Sequence, residues 1–518
     1  MPARMHPSDQ GNNFHPISRA VLLAMLATSA AVAGFAISNQ SYWIDEATSL
    51  IVAMAPNPAE AWKYANAVGG STIQMPLYNI YLYAWHKIFG GGEWVMRAAN
   101  IPFFVFGQLA FLLLLRSRPR LALTACGLSL VCPTLWMYLD EARPYIMQYA
   151  AACWPTAALL RAAAPQPGDE HWKTSELLLL ALGTILLAGS SLLGVLWAAG
   201  FVLVLLWLWK NPATSGQKKS PAVVYLAALA FPLIGLGAFY LFTFETAGGG
   251  YFRPGTGLVS LPYVIYEFLG FSGFGPGRLE LRTAPGASLR AHFFSLLPLA
   301  AVAGILGIFL LQHLRNRQPG GRLFVSFALA VVLPAAVAVV GMFFSDYRPL
   351  PQHFMPVLPS VILAIAAMLP AALAQPSLVI RAAAVLLPLL WLTSSLNLRW
   401  REVHAKDDYR TAAAIAAGAL RDNKEVWWAA DAAAAFIYLT PVALENVPGR
   451  AWAMQAPQWD DIRFKFPPRV IVMSKPDIYD PSGAVARYAA ENRFAPALKL
   501  HAFTIFTREN DPLPAVSP

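Results

Sequence analysis

Charge is what this sequence has least of. Only 13% of its 518 residues are Asp, Glu, Lys or Arg, whereas 57% are hydrophobic and the mean hydropathy is +0.49. A water-soluble domain of this size needs far more polar surface, so the composition excludes that class and points to a polytopic membrane protein. Cysteine is equally sparse. Cys126, Cys132 and Cys153 stand in apolar stretches with no ligand spacing and no disulfide framework, which reads as small core residues and argues against redox chemistry. No glycine-rich nucleotide loop of the usual form is present. The formal net charge of +10 does not make nucleic acid a partner, because residues 1–398 hold 23 Lys and Arg against 14 Asp and Glu, and residues 399–518 hold 15 against 14. The excess sits in the apolar part, where loop cations set orientation and meet the head groups of membrane lipids.

Long hydrophobic runs are what the chain does have. A spanning helix needs about 20 apolar residues. That criterion selects segments near 17–38, 97–115, 121–139, 145–160, 176–191, 192–209, 221–242, 291–312, 323–344, 354–373 and 379–397, about eleven crossings. The first run follows Arg4 and His6, lacks a persuasive cleavage site and is too long for a signal-peptide core, so it reads as a retained helix that starts in the cytoplasm. Pro76 to Gly90 is short and dotted with Tyr78, Asn79, Tyr81, Tyr83, Trp85, His86 and Lys87, which suits a helix lying in the interface. With that segment left out of the count, Arg116, Arg118, Arg120, Arg161, Lys210, Arg322 and Arg381 all fall on the cytoplasmic side.

Residues 1–398 therefore read as a membrane helical bundle and residues 399–518 as a small α/β domain outside it. In that domain the pattern predicts helix 408–421, strand 425–430, helix 432–439, strand 469–473, helix 482–492 and strand 498–507.

Four polar groups converge on the outer face of this topology. Asp45 and Glu46 open an amphipathic stretch just past the first apolar run; Asp45 is either a helix cap or a reactive carboxylate. Asp140-Glu141-Ala142-Arg143-Pro144-Tyr145 precedes the next run, where Glu141 and Arg143 also suit a boundary ion pair and Pro144 a first-turn proline. The segment from Glu245 to Arg290 is rich in glycine and carries Arg253, Arg278, Arg282 and Arg290, the composition of a phosphate-binding loop or of an ordinary mobile one. Finally, Arg348 and His353 stand between two apolar runs, as holders of a lipid phosphate or as interface anchors.

In this order the phrases resemble the glycosyltransferase C superfamily, in particular bacterial members related to protein mannosyltransferases and to the aminoarabinose transferases that modify lipid A (glycosyltransferase family 39 type). The Asp45-Glu46 pair matches the acidic pair of the family's first outer loop. Gln74-Met75-Pro76-Leu77-Tyr78-Asn79 stands for its interfacial-helix phrase, Phe89-Gly90 and Arg97 for its next turn and arginine, and Glu141-Ala142-Arg143-Pro144-Tyr145 for its Glu-Ala-Arg-Pro-Tyr. His353-Phe354-Met355-Pro356 and Asp408-Tyr409-Arg410-Thr411-Ala412 are similar to two later phrases.

The resemblance implies a bacterial inner-membrane enzyme with a periplasmic C-terminal domain. It would move a sugar from a polyprenyl-phosphate donor to a hydroxyl of a lipid, glycan or protein acceptor, by inversion. Asp45 would be the general base, with Glu46 and Glu141 as further catalytic carboxylates. Arg143, Gln74, Tyr78, Arg97, Arg348 and His353 would bind substrate. Gln74 replaces the family's usual histidine, so no cofactor is certain and a divalent metal stays open, because a neutral amide is a poor ligand for one. A transporter or flippase of lipid-linked sugars is the alternative, and it calls for ionisable groups near the middle of helices.

Overall fold

The computed structural model describes residues 17–167, 169, 171–212, 221–247, 260–317, 321–341, 350–444, 447–454 and 467–508. Among them, eight helices are long and apolar enough to cross a membrane: Arg19–Ala36, Glu93–Leu114, Leu192–Lys210, Ala222–Phe244, Phe293–Arg315, Gly321–Gly341, Pro351–Leu373 and Leu378–Trp400. Helices Pro119–Val131 and Pro133–Leu139 meet at 59° and make a ninth if taken as one broken span. Pro133 has no N–H to continue the upstream hydrogen-bond ladder, so the chain bends there.

By length and composition, nine at most of the eleven expected crossings are met among the described residues. Helix Thr174–Ser190 has only 17 residues, and helix Tyr145–Ala163 mixes Gln148, Trp154, Pro155 and Arg161 into its apolar residues. The latter is the axis of the bundle, with 17 of its 19 residues buried. It packs on the helices before and after it, and Gly107 lets one of them approach until an added Cβ would lie 3.0 Å from the Ala150 Cα. A helix apolar on every side is buried either in a protein core or in a membrane.

Between the first and second spans lie the short helices Ile44–Ala53, Pro58–Val68, Gly70–Ile73 and Pro76–Phe89. The last is a 14-residue helix, well short of a crossing, that buries Pro76, Tyr78 and Leu82 and exposes Ile80, Ile88 and Phe89.

Two sets of ion pairs mark opposite ends of the bundle. Arg116 and Arg161 both bond Glu176, at 2.6 and 3.0 Å, where Glu93–Leu114 and Tyr145–Ala163 end. Arg118, near the same helix ends, lies 3.5 Å from Asp169. The acidic phrases of the first loop and of residues 140–145 gather at the other end.

The C-terminal segment forms one six-stranded sheet from β1 (Val426–Ala429), β2 (Val442–Ala443), β3 (Ala451–Ala453), β4 (Val470–Ser474), β5 (Phe494–Leu500) and β6 (Phe503–Arg508), in the order β2-β3-β1-β4-β6-β5. The first four are parallel and the last two antiparallel. The single strand expected over 498–507 is a hairpin instead, turned at His501-Ala502, where Ala502 takes φ 65°. Strands β2 and β3 were not foreseen, since two or three residues give no alternation to read.

Candidate functional site

Helix Ile44–Ala53 starts without a capping side chain from Asp45. The position before its first turn is Trp43, whose N–H donates to Glu46 Oε2 at 3.3 Å. Glu46 is fully buried and accepts four further hydrogen bonds: from Arg97 Nε and Nη2, each at 2.8 Å, from the Ala142 N–H at 2.9 Å and from Lys406 Nζ at 3.1 Å. Burial alone would raise the Glu46 carboxyl, but the Arg97 and Lys406 cations outweigh it and hold the group at about 2.

Arg97 spends all its N–H groups inside the protein. Besides the fork to Glu46, it donates to the carbonyls of Ser38, Gln40 and Ser41 at 2.9, 2.7 and 3.1 Å. With five donors used and no exposed surface, Arg97 has no N–H left to offer a ligand in this arrangement. It clamps the turn that leads from the first span into helix Ile44–Ala53. Asp140 completes the clamp by accepting from the Ser38 N–H and hydroxyl, at 2.5 and 2.9 Å.

Asp45 points elsewhere. It is half-buried, and its carboxylate makes no hydrogen bond or ion pair among the described residues. Its electrostatic neighbours are Arg143, Tyr145 and, from the C-terminal domain, Asp431. One helical turn on, Ser49 Oγ accepts from Arg143 Nη1 at 2.9 Å, so Asp45 and Ser49 present one face of the helix to Arg143. Arg143 also donates to Ser71 Oγ at 3.2 Å and approaches the Tyr145 hydroxyl at 3.4 Å. The ion pair between Glu141 and Arg143 that their spacing allows does not form.

Glu141 pairs instead with Arg278, whose Nη1 donates to Oε1 at 2.6 Å. Arg278 comes from the glycine-rich segment, which from residue 260 onward is a series of short helices packed on the bundle. Gly273 permits that packing, since a Cβ there would fall 1.9 Å from the Ser394 carbonyl oxygen. The Arg278 guanidinium also lies over the Trp43 and Tyr138 rings, 5.1 and 5.8 Å from their centroids. A buried carboxyl missed in the sequence, Glu267, lies in electrostatic reach of Arg278 and Glu141. Burial pushes it up to about 7 against the pull of Arg278. Burial likewise raises Glu141, again opposed by Arg278. An ionisable residue inside the apolar run Tyr263-Val-Ile-Tyr-Glu267 was the available signal.

The remaining candidates fall around this core. Tyr78 is fully buried within electrostatic reach of Arg143. His353 is also within reach of Arg143, and its Nδ1 accepts the Leu350 N–H at 3.1 Å. The neighbouring Gln352 Oε1 meets the Tyr138 hydroxyl at 3.4 Å. Gln74 ends the helix Gly70–Ile73 and offers its backbone carbonyl to Tyr240. Arg348 and Arg253 lie outside the described residues. No three His, Cys, Asp or Glu side chains among the described residues gather as metal ligands.

The C-terminal segment reaches into the same region, a link with no local signal in the sequence. Lys406 bonds Glu46 and the Asp140 carbonyl, and the Tyr438 hydroxyl accepts the Tyr42 N–H at 2.7 Å. A cavity of about 170 Å³ lies at this seam, bordered by Trp43, Glu141, Arg278 and Lys406.

Two crystal structures of ArnT from Cupriavidus metallidurans share this arrangement of elements. The apo state matches with a TM-score of 0.52 and 14% identity, over 94% of this chain and 97% of that one. The state bound to undecaprenyl phosphate matches with a TM-score of 0.53 and 13% identity, over 95% and 99%. The chain has the ArnT fold. With the eight apolar helices, the likeness to ArnT makes the chain a multi-pass membrane protein. The archaeal oligosaccharyltransferase AglB from Archaeoglobus fulgidus, in complex with an inhibitory peptide and a dolichol-phosphate, matches at a TM-score of 0.45 and 12% identity, over 94% of this chain and 74% of that one, too loosely to add to the ArnT comparison. No family model and no curated protein matches the sequence.

Proposed function

We propose that this protein is an integral membrane glycosyltransferase that moves a sugar from a polyprenyl-phosphate donor to an acceptor hydroxyl. The observation that carries the reading is the contrast within the acidic pair. Glu46 is consumed by five donors, while Asp45 beside it keeps its carboxylate free of partners among the described residues and faces Arg143 and Tyr145. A reactive carboxylate needs an unengaged oxygen, and a neighbouring rigid hub holds it in place. ArnT with undecaprenyl phosphate, a protein of the same fold, supports a lipid phosphate as the donor's carrier.

Asp45 is the general base. It takes the proton of the acceptor hydroxyl as that oxygen attacks the anomeric carbon, the bond from that carbon to the phosphate oxygen breaks, and the polyprenyl phosphate departs with the electron pair. A single displacement inverts the anomeric centre. Arg143 and His353, together with Arg348, meet the departing phosphate. Glu141, raised by burial, receives hydroxyl hydrogen bonds from a sugar, and Tyr78 and Gln74 line the approach. Glu46 acts as a positioning residue rather than a catalytic one. The acceptor is a lipid, glycan or protein hydroxyl. Residues 1–398 form the transferase unit and residues 399–518 an extracytoplasmic cover. Placing Arg116, Arg118 and Arg161 on the cytoplasmic side puts the Asp45 end outside the inner membrane.

The test is sugar transfer by protein in lipid bilayers, supplied with a panel of polyprenyl-phosphate sugars and membrane extract. Wild type transfers label and Asp45→Asn loses at least about 100-fold in rate. Equal transfer by both would remove Asp45 from the mechanism.

A further inference from the structure

Among the described residues beyond 400, the large apolar side chains left exposed are Phe436, Leu439, Leu444 and Val447, and all of them fall within 436–447. The rest of the C-terminal segment buries such groups, Trp427, Trp428, Trp452 and Ile471 among them. A single exposed apolar residue needs no explanation, but a set confined to one stretch marks a contact surface. Leu439 is the sharpest case. It is 87% exposed and takes φ 56°, a left-handed backbone that ordinarily goes to glycine or asparagine. It ends helix Ala432–Ile437, where the Thr440 N–H donates to the Ala435 carbonyl at 3.1 Å. In water a leucine at such a position gains from neither its backbone nor its side chain.

Leu439, Pro441 and Gly449 border a shallow apolar groove of about 460 Å³, with Ala414, Ala417 and Leu420 of helix Tyr409–Arg421 as further walls. Arg421 is the one charged residue in this lining, and a long cationic side chain beside an apolar surface suits head-group depth. The neighbouring Tyr438 fixes the height of the patch. Its hydroxyl donates to Glu93 Oε1 at 3.0 Å, and Glu93 opens the span Glu93–Leu114. Arg410, at the start of helix Tyr409–Arg421, bonds the same Glu93 oxygen at 2.5 Å. Trp94, next to Glu93, and Ile88 and Phe89, at the end of helix Pro76–Phe89, are exposed as well. The level at which the chain enters the membrane thus carries apolar surface on both sides of this seam. A patch there needs no recruited partner, because the bilayer around the protein's own helices already borders it.

We infer that the stretch 436–447 is a membrane anchor: Phe436 and Leu439 dip into the leaflet that borders the Asp45 end of the bundle, at the boundary between head groups and acyl chains. The anchor does not depend on the proposed transfer. Helix Ala432–Ile437 packs on helix Ile44–Ala53, whose Ile44 and Ala47 join the apolar cluster of the C-terminal segment. Lipid contact therefore helps to seat that segment on the helix that carries Asp45.

Fluorescence quenching tests this without a transfer assay. The native cysteines Cys126, Cys132 and Cys153 are buried, so a cysteine introduced by Leu439→Cys, Phe436→Cys or Glu491→Cys takes a thiol-reactive NBD probe. Glu491 ends helix Ala484–Glu491, which covers the opposite face of the sheet, and serves as the reference. The full chain is placed in phosphatidylcholine nanodiscs, one chain per disc, with and without lipid that carries a nitroxide near its head group. The lipid nitroxide quenches the probes at 439 and 436 at least about threefold more than the probe at 491, and aqueous iodide shows the reverse order. Iodide reaching all three probes alike, with no added quenching by the lipid at 439 and 436, overturns the anchor. So does shielding of 439 and 436 from both quenchers, because protein and not lipid then covers them.

Discussion

Glu46 accepts the backbone N–H of Ala142 through Oε1 at 2.9 Å, joining the acidic pair of the first loop to the Glu-Ala-Arg-Pro turn nearly a hundred residues away. The bond fixes where Asp45 stands relative to Glu141 and Arg143. Both phrases thus belong to one pocket region at one end of the bundle, with Arg97 and Lys406 closing it from either side.

Breaking that hub costs stability before it costs chemistry. Arg97→Ala leaves Glu46 buried beside a single remaining cation, and the expected loss is about 3–5 kcal/mol. Thermal unfolding of the protein in nanodiscs reads it as a large fall in Tm. Arg97→Lys recovers little, because one ammonium cannot replace a five-donor guanidinium.

Glu46 also sets an acid limit. Its folded value of about 2 lies below the ordinary 4.5, so its contribution is complete above about pH 4.5 and disappears as the pH falls toward 2. Unfolding midpoints measured from pH 7 down to 3 should fall below about pH 4.5 in wild type, and this part of the fall should be missing in Glu46→Gln.

Glu267 works in the opposite direction. Raised to about 7 in the folded protein, it binds a proton more tightly there than in the unfolded chain, so stability falls as the pH climbs from about 4.5 to 7 and then levels off. Glu267→Gln should flatten this slope and unfold later than wild type at pH 8. An unchanged slope would show that the carboxyl is ionised throughout.

The pair formed by Glu141 and Arg278 should be coupled. Arg278→Gln leaves a buried carboxylate without its cation and costs about 1–3 kcal/mol, and adding Glu141→Gln returns part of that loss. A double-mutant cycle in Tm checks the coupling. Sugar transfer falls in both single variants, because Glu141 then loses either its charge or its orientation.

Much of the site was legible because its signals are local. Two adjacent carboxylates past an apolar run, and a Glu-Ala-Arg-Pro turn before another, are visible in a few residues each. Pairing was not legible. Glu141 and Arg143 look like partners at a spacing of two, yet the turn at Pro144 sends Arg143 toward Ser49 and leaves Glu141 to Arg278. Arg97 looked like a ligand-binding cation, and only the fold reveals that five protein acceptors surround it. The burial of helix Tyr145–Ala163 was not legible for a related reason, because a hydropathy window cannot tell protein from lipid as the surrounding medium.

By itself the sequence determined the medium: scarce charge and long apolar runs leave no other place for this chain than a bilayer, and the cost of burying ions in hydrocarbon pushes its carboxylates to the ends of those runs. Tertiary structure alone decided which of those carboxylates are free. A buried charge must be neutralised by whatever cation the fold delivers, and Arg97, Arg278 and Lys406 arrive from three separate segments to occupy Glu46 and Glu141, leaving Asp45 without a partner among the described residues.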